Sequence, residues 1–224
     1  MPEWLFGPAE HYPTLGARRA DLVVHIVGLV LAVGGGVLLA GMSAWKNSPG
    51  AFTAVIVYSI GVILMLAFST AYNFAKASLR PRLRRLDHAG IFVMIAASYT
   101  PFTTQHMPTA WAWGMTTAVW AVAAIGALGK AFLPGLGKRV WIVLYLAMGW
   151  LVLVALKPLI DGVSWIVLAL LLAGGVIYST GVIFYVRKQL KFARAIWHGH
   201  VITAAGVHWA AVLIGVVLVA PVGR

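Results

Sequence analysis

Apolar residues fall into seven runs, at about 20–45, 51–75, 87–104, 109–129, 139–157, 163–186 and 196–220, separated by short polar breaks. Crossing the hydrocarbon core takes roughly 20 apolar residues in a helix, and each run approaches that length. The pattern predicts an all-α integral membrane protein, a seven-transmembrane helix bundle. Pro101 falls near the end of the third run and predicts an interruption there. The breaks are too short for linkers, and no internal repeat is visible. A single membrane domain, 20–221, therefore follows an N-terminal segment, 1–19.

Composition agrees with the pattern. The chain has 224 residues, 62% hydrophobic and only 10% charged, and its mean hydropathy is +0.92. A soluble domain carries about 25% charged residues, so the main solvent of this chain is lipid. The opening "MPEWLFGPAEHYPTLGARR" does not predict a cleavable signal. Cysteine is absent, which excludes disulfides and thiolate chemistry. Any metal must be held by His, Asp, Glu or neutral oxygen.

The net charge of +12 would suggest nucleic acid in a soluble protein, but here it fits loops facing anionic lipid, with no nucleic-acid partner. With the N-terminus in the cytoplasm, one side holds Arg18, Arg19, Lys76, Arg80, Arg82, Arg84, Arg85, Lys130, Lys138, Arg139, Arg187, Lys188, Lys191 and Arg194. That is 14 of the 17 basic residues; Lys46, Lys157 and Arg224 fall on the other side. The positive-inside rule then predicts a cytoplasmic N-terminus and an outside C-terminus. The expected location is the cell membrane, multi-pass, in the bacterial cytoplasmic membrane. Trp45, Trp111, Trp113, Trp141, Trp165 and Trp197 lie near run ends, as an aromatic belt requires.

This orientation gathers the ionisable residues of the spans into one cytoplasmic-side layer. Ser69 and Asn73 are four apart and share a helix face, as do Asp21 and His25, and Arg194 and His198. Asp87 and His88 open the third span, where a buried carboxylate needs compensation. The expected polar site is Ser69, Asn73, Asp87, His88, Arg194 and His198, with Asp21, His25 and His208 around it. His208 is roughly 15 Å deeper than His198 and rotated by about 80°. Residues at helix ends can also simply meet headgroups, which is the reading for His11 and His106.

Three segments resemble the hemolysin III family within the progestin and adipoQ receptor superfamily: "FSTAYN", "LDHAGIFVMIAASYTPF" and "IWHGHVITAAGVHW". The resemblance implies a seven-span fold with a zinc site near the cytoplasmic face. Its usual pattern is Ser-x-x-x-His in the second span, Asp in the third and His-x-x-x-His opening the seventh. Three imidazoles hold the metal, and the carboxylate assists through a water. This chain departs from that pattern twice, with Asn73 and Arg194 at two of the three ligand positions; only His198 remains. Asn is a poor zinc ligand and Arg cannot deprotonate to become one. Helical spacing does not favour rescue by His88, His200 or His208. The expectation is no cofactor. Were zinc bound, it would use His198, and Asp87 through a water.

Arg194 is then expected to neutralise Asp87 by a bidentate pair, unless it snorkels to phosphate headgroups. Three functions follow as expectations. The first is a receptor-like or membrane-homeostasis role, with membrane lipids and a lipid-like ligand as partners. The second is a zinc-dependent lipid amide hydrolase of ceramide type, which the lost ligands disfavour. The third is a proton-linked transporter, for which no inverted repeat or broken-helix pair is visible. The spacing names no catalytic residue and leaves the oligomeric state open.

Overall fold

The computed structural model describes residues 11–133, 137–187 and 189–219. Lys188 and Arg224 of the charge count, and the first ten residues, lie outside them. The described residues form helices and no strand. They are α1 (Leu15–Trp45), α2 (Pro49–Phe74), α3 (Arg80–His106), α4 (Thr109–Phe132), α5 (Lys138–Gly149), α6 (Leu156–Gly162), α7 (Trp165–Val186) and α8 (Ala193–Val212). A 3-10 segment (Leu151–Ala155) joins α5 to α6, and a π-helical segment (Leu213–Leu218) prolongs α8.

Six elements are long and apolar enough to cross a membrane: α1, α2, α4, α5 together with α6, α7, and α8 with its extension. This makes the chain a multi-pass membrane protein. Helix α3 does not meet that criterion. It begins at Arg80 rather than at 87, and its first turns carry Arg80, Arg82, Arg84 and Arg85. Its length of 27 residues corresponds to about 40 Å.

Pro101 does not interrupt α3, which continues to His106. Proline removes one backbone hydrogen bond. Hydroxyls nearby bond to carbonyls of the same helix: Ser98 to Met94 (2.8 Å), Thr100 to Ala96 (3.0 Å) and Thr104 to Thr100 (2.7 Å). The run expected at 139–157 does break, at residues 150–155. Pro158 follows one turn later and cannot continue the hydrogen-bond ladder backwards. Tyr99 of α3 serves the freed backbone. Its hydroxyl accepts from Val152 N (2.8 Å) and stands 3.0 and 2.9 Å from the carbonyls of Met148 and Gly149. Such groups must find protein partners at membrane depth.

Helix α3 packs between α2 and α4, α1 lies between α2 and α8, and α7 lies on α8. Small residues set these approaches, as membrane helix packing favours. A Cβ on Gly61 of α2 would collide with Ala97 of α3, and one on Gly174 of α7 would collide with the His208 ring. The outer surface is apolar, with Val30, Leu31 and Val37 of α1 and Ile125, Leu128 and Phe132 of α4 exposed. Trp45, Trp113 and Trp165 are exposed as a belt requires, but Trp141 is buried, with Lys130 Nζ 4.6 Å from its ring.

Candidate functional site

One face of α1 is buried against α2 and α8, through Ala17, Asp21, His25, Gly28, Gly36, Leu39 and Ser43. The spacing of three and four residues is that of a core stripe. Asp21 and His25 thus occupy positions where a packed helix normally carries apolar side chains, and their exposure is 0% and 1%. Burial of this kind is sustained only by partners.

The partners come from every neighbouring element. His198 of α8 donates from Nδ1 to Asp21 Oδ1 at 2.6 Å. Tyr12 donates its hydroxyl to Asp21 Oδ2, also at 2.6 Å. His25 donates from Nδ1 to the Asp21 backbone carbonyl at 2.8 Å. That bond fixes the tautomer: the proton is on Nδ1, and Nε2 is a bare acceptor. His25 Nε2 stands 3.3 Å from Ser69 Oγ of α2, and His198 Nε2 stands 3.5 Å from the same oxygen. The two rings meet edge to face, centroids 4.3 Å apart.

A second layer covers this cluster. Asn73 donates from Nδ2 to the Ser69 carbonyl at 2.9 Å and approaches Ser69 Oγ at 3.4 Å. Arg194 Nη1 donates to Asn73 Oδ1 at 3.0 Å and to His11 Nε2 at 2.9 Å. Its guanidinium also lies over the Tyr12 ring, 5.3 Å from the centroid. Burial, and then the guanidinium, hold the His11 imidazole down at about 4. Burial, and then the Asp21 carboxylate, push the Tyr12 hydroxyl far above its ordinary value.

The structure therefore brings Ser69, Asn73, Arg194 and His198 together with Asp21 and His25. It differs from the sequence reading at the carboxylate. Among the described residues Arg194 makes no ion pair with Asp87, and the carboxylate bonded to His198 is Asp21. The basic side chain nearest Asp87 is the His88 imidazole, with Nε2 3.9 Å away. Asp87 nevertheless lies close enough for His198, Ser69, Arg194 and Arg84 to act on its charge. The reason is rotational: Arg194 is turned toward α2 and the N-terminal segment. His208 is remote from the cluster, where its Nε2 meets the Leu171 carbonyl at 3.2 Å and ties α8 to α7. His106 ends α3 and binds the Gly162 carbonyl through Nδ1 (3.0 Å).

The sequence does not single out Tyr12, and it leaves His11 to the headgroups. His11 and Tyr12 fold back over the helix ends, and only the position of two aromatic polar residues just before a basic helix start could have hinted at it. Asp21 and His25 did carry a signal, since an acid and an imidazole four apart share one face.

His11, Tyr12, His25, Ser69, Asn73, Arg194 and His198 line a cavity of about 560 Å³ at the basic end of the bundle. Arg84, Lys138, Lys191 and Arg194 stand on its wall with Asp87 as the acidic member, and Met65, Ile91, Met94, Val182 and Ile202 make its apolar part. Ligand atoms of Asp21, His25 and His198 all lie within 4.8 Å of one another, a grouping that could hold a metal ion.

Known proteins share this sequence over most of its length. The profile of a family described as "Haemolysin-III related" matches residues 19–209. Hemolysin-3 of Bacillus cereus is 31% identical over 180 residues, covering 80% of this chain and 82% of that protein. The Hemolysin-3 homolog of Bacillus subtilis (strain 168) is 30% identical over 190 residues, covering 84% and 89%. Human monocyte to macrophage differentiation factor is 31% identical over 213 residues, covering 89% and 84%. The chain belongs to the hemolysin III family, within the progestin and adipoQ receptor superfamily.

Proposed function

We infer that this is a cell-membrane protein with seven spans and a cytoplasmic N-terminus, whose cytoplasmic-side cavity receives an anionic single-chain amphiphile without a metal ion. The carrying observation is the cavity wall. Four cations, Arg84, Lys138, Lys191 and Arg194, line it with one carboxylate, Asp87, and Met65, Ile91, Met94, Val182 and Ile202 supply an apolar part that suits an acyl chain. A concave, mostly apolar site with a few convergent polar groups is the usual form of a small-molecule site. A receptor-like or membrane-homeostasis role follows, in which occupancy reports or buffers an acidic lipid of the inner leaflet.

Zinc of the family kind does not fit these side chains. Asn73 and Arg194 stand at two ligand positions, and the guanidinium bonds to Asn73 and His11 where an imidazole would otherwise face the metal. The triad of Asp21, His25 and His198 is already committed. Asp21 Oδ1 is held by His198 Nδ1, Asp21 Oδ2 by Tyr12, and His25 Nδ1 by a backbone carbonyl. Two imidazole Nε2 atoms remain, short of the three protein ligands that open zinc sites use.

The test uses the purified protein in nanodiscs of neutral lipid. Oleate should raise its melting temperature, and oleyl alcohol of the same chain length should not, since a ligand that binds only the folded state stabilises it. Arg84→Gln and Lys191→Gln together should weaken the oleate shift. Equal shifts with acid and alcohol would remove the charge-based reading.

A further inference from the structure

Hydroxyls on the helices of this protein mostly turn back to their own backbone. Thr70 bonds to the Leu66 carbonyl, Ser98 to Met94, Thr100 to Ala96, Ser179 to Gly175 and Thr180 to Val176. This is the ordinary resting place of a hydroxyl inside a membrane helix. Ser69 departs from it. Its Oγ points across the helix interface to two imidazole Nε2 atoms, 3.3 Å from His25 and 3.5 Å from His198. The second of these imidazoles is held from behind by a fully buried carboxylate, Asp21, at 2.6 Å.

The geometry points to Ser69, His198 and Asp21 as a nucleophile, its base and the carboxylate that orients the base, forming a metal-independent acyl-ester hydrolase site. The order of contacts is the one that activates a serine: carboxylate to Nδ1, Nε2 to hydroxyl. Three helices, α1, α2 and α8, each supply one member. The 3.5 Å separation of base and hydroxyl is of the looser kind found before substrate tightens the site. His198 and not His25 is the base. Asp21 can stabilise an imidazolium at His198, whereas His25 Nδ1 is bound only to a neutral carbonyl. Tyr12 holds the other oxygen of Asp21 and so fixes the carboxylate plane.

The step balances with water as the only co-reactant. Ser69 Oγ forms a bond to the acyl carbon of the ester while its proton passes to His198 Nε2. The ester C–O bond breaks, and the leaving alkoxide takes that proton and departs as the alcohol. Water then attacks the acyl-Ser69 carbon and gives a proton to His198. The Ser69 Oγ–C bond breaks, Ser69 recovers the proton, and a carboxylic acid is released. Asn73 Nδ2, 3.4 Å from Ser69 Oγ, is the nearest donor for the oxyanion that develops at each attack. The substrate class, an ester of a single-chain amphiphile, rests on the ligand reading given above. The acid product matches the cationic wall of the cavity.

The experiment treats the full-length protein in nanodiscs with a long-chain alkyl fluorophosphonate and locates the adduct by peptide mass spectrometry. One adduct is expected, on Ser69, at a rate unchanged by 1,10-phenanthroline. His198→Gln should slow labelling by a factor on the order of 10²–10⁴, the range of general-base assistance. Ser69→Ala should abolish it, with the oleate melting shift retained as proof of folding. Because the adduct is mapped in the unaltered protein, a Ser69→Ala variant that fails to fold leaves the result decisive. An unlabelled Ser69 in protein that still shows the oleate shift overturns the hydrolase site and leaves the ligand reading standing. An adduct elsewhere, or His198→Gln labelled at the original rate, also overturns it. Loss of the oleate shift together with normal Ser69 labelling would instead sink the ligand reading alone.

Discussion

His198 Nδ1 stands 2.6 Å from Asp21 Oδ1, so a hydrogen bond joins α8 to α1, 177 residues away in sequence. The Asp21 side chain has no exposure and the His198 side chain only 12%. A charge-assisted bond in such a place is worth more than a neutral one, and its loss leaves a buried group unpaired. Asp21→Asn should therefore lower stability by ~1–3 kcal/mol. The check is a double-mutant cycle with His198→Gln, read from thermal unfolding in mild detergent. Additive losses from the two single changes would show that the contact carries no coupling.

Much of this site was legible in the sequence, but not its wiring. Helical spacing places Ser69 with Asn73, Asp21 with His25, and Arg194 with His198, because a 3.6-residue period fixes which residues share a face. It does not fix how one helix is rotated against the next. Asp87 and Arg194 both belong to the same end of the bundle, and the sequence pairs them as the obvious opposite charges. The rotation of α8 gives His198 to Asp21 and Arg194 to Asn73 and His11 instead. His11 and Tyr12 were beyond reach for another reason. They precede the first helix, and no periodicity governs where such a segment folds. Six of the apolar runs correspond to elements long and apolar enough to cross a membrane, and α3 starts seven residues early because arginines extend a helix as readily as leucines do.

Metal content separates the replaced ligand set from the family pattern. Protein purified without chelator should carry well below about one zinc per chain, since a catalytic zinc needs three protein ligands. Asn73→His combined with Arg194→His restores the two imidazoles of the family pattern and removes the guanidinium charge. That double variant should bind zinc, measured by plasma emission after dialysis. Stoichiometric zinc in the unaltered protein, lost on His198→Gln, would show that Asp21, His25 and His198 do hold a metal.

His11 gives the site a pH dependence with a definite sign. Its folded-state pKa is about 4, below the ordinary 6.5, because burial and then Arg194 disfavour the cation. Between those two values the unfolded chain binds more protons than the folded one. Stability contributed by the neutral ring is thus fully present above pH 6.5 and is lost as pH falls toward 4. Melting temperature should drop between pH 7 and pH 4.5, and His11→Gln should flatten that part of the curve. An unchanged slope would mean that His11 is protonated alike in both states.

Topology decides whether the site faces the cytoplasm. Fourteen of 17 basic residues fall on one side only if seven spans alternate from a cytoplasmic N-terminus. Six elements qualify as spans by length and apolarity; α3, which carries Arg80, Arg82, Arg84 and Arg85, does not. Those arginines sit in the first turns, which leaves the stretch from Leu86 to His106 for the membrane, about 30 Å at 1.5 Å per residue. That is enough to cross the hydrocarbon core. A reporter active only outside the cytoplasm, fused after residue 219, should therefore be active, and one fused after Lys76 should be silent. An even number of spans would return the C-terminus to the cytoplasm, and the fusion after residue 219 would be silent as well. The cavity cations would then no longer all face the anionic inner leaflet, and the proposed acidic ligand would lose its source there.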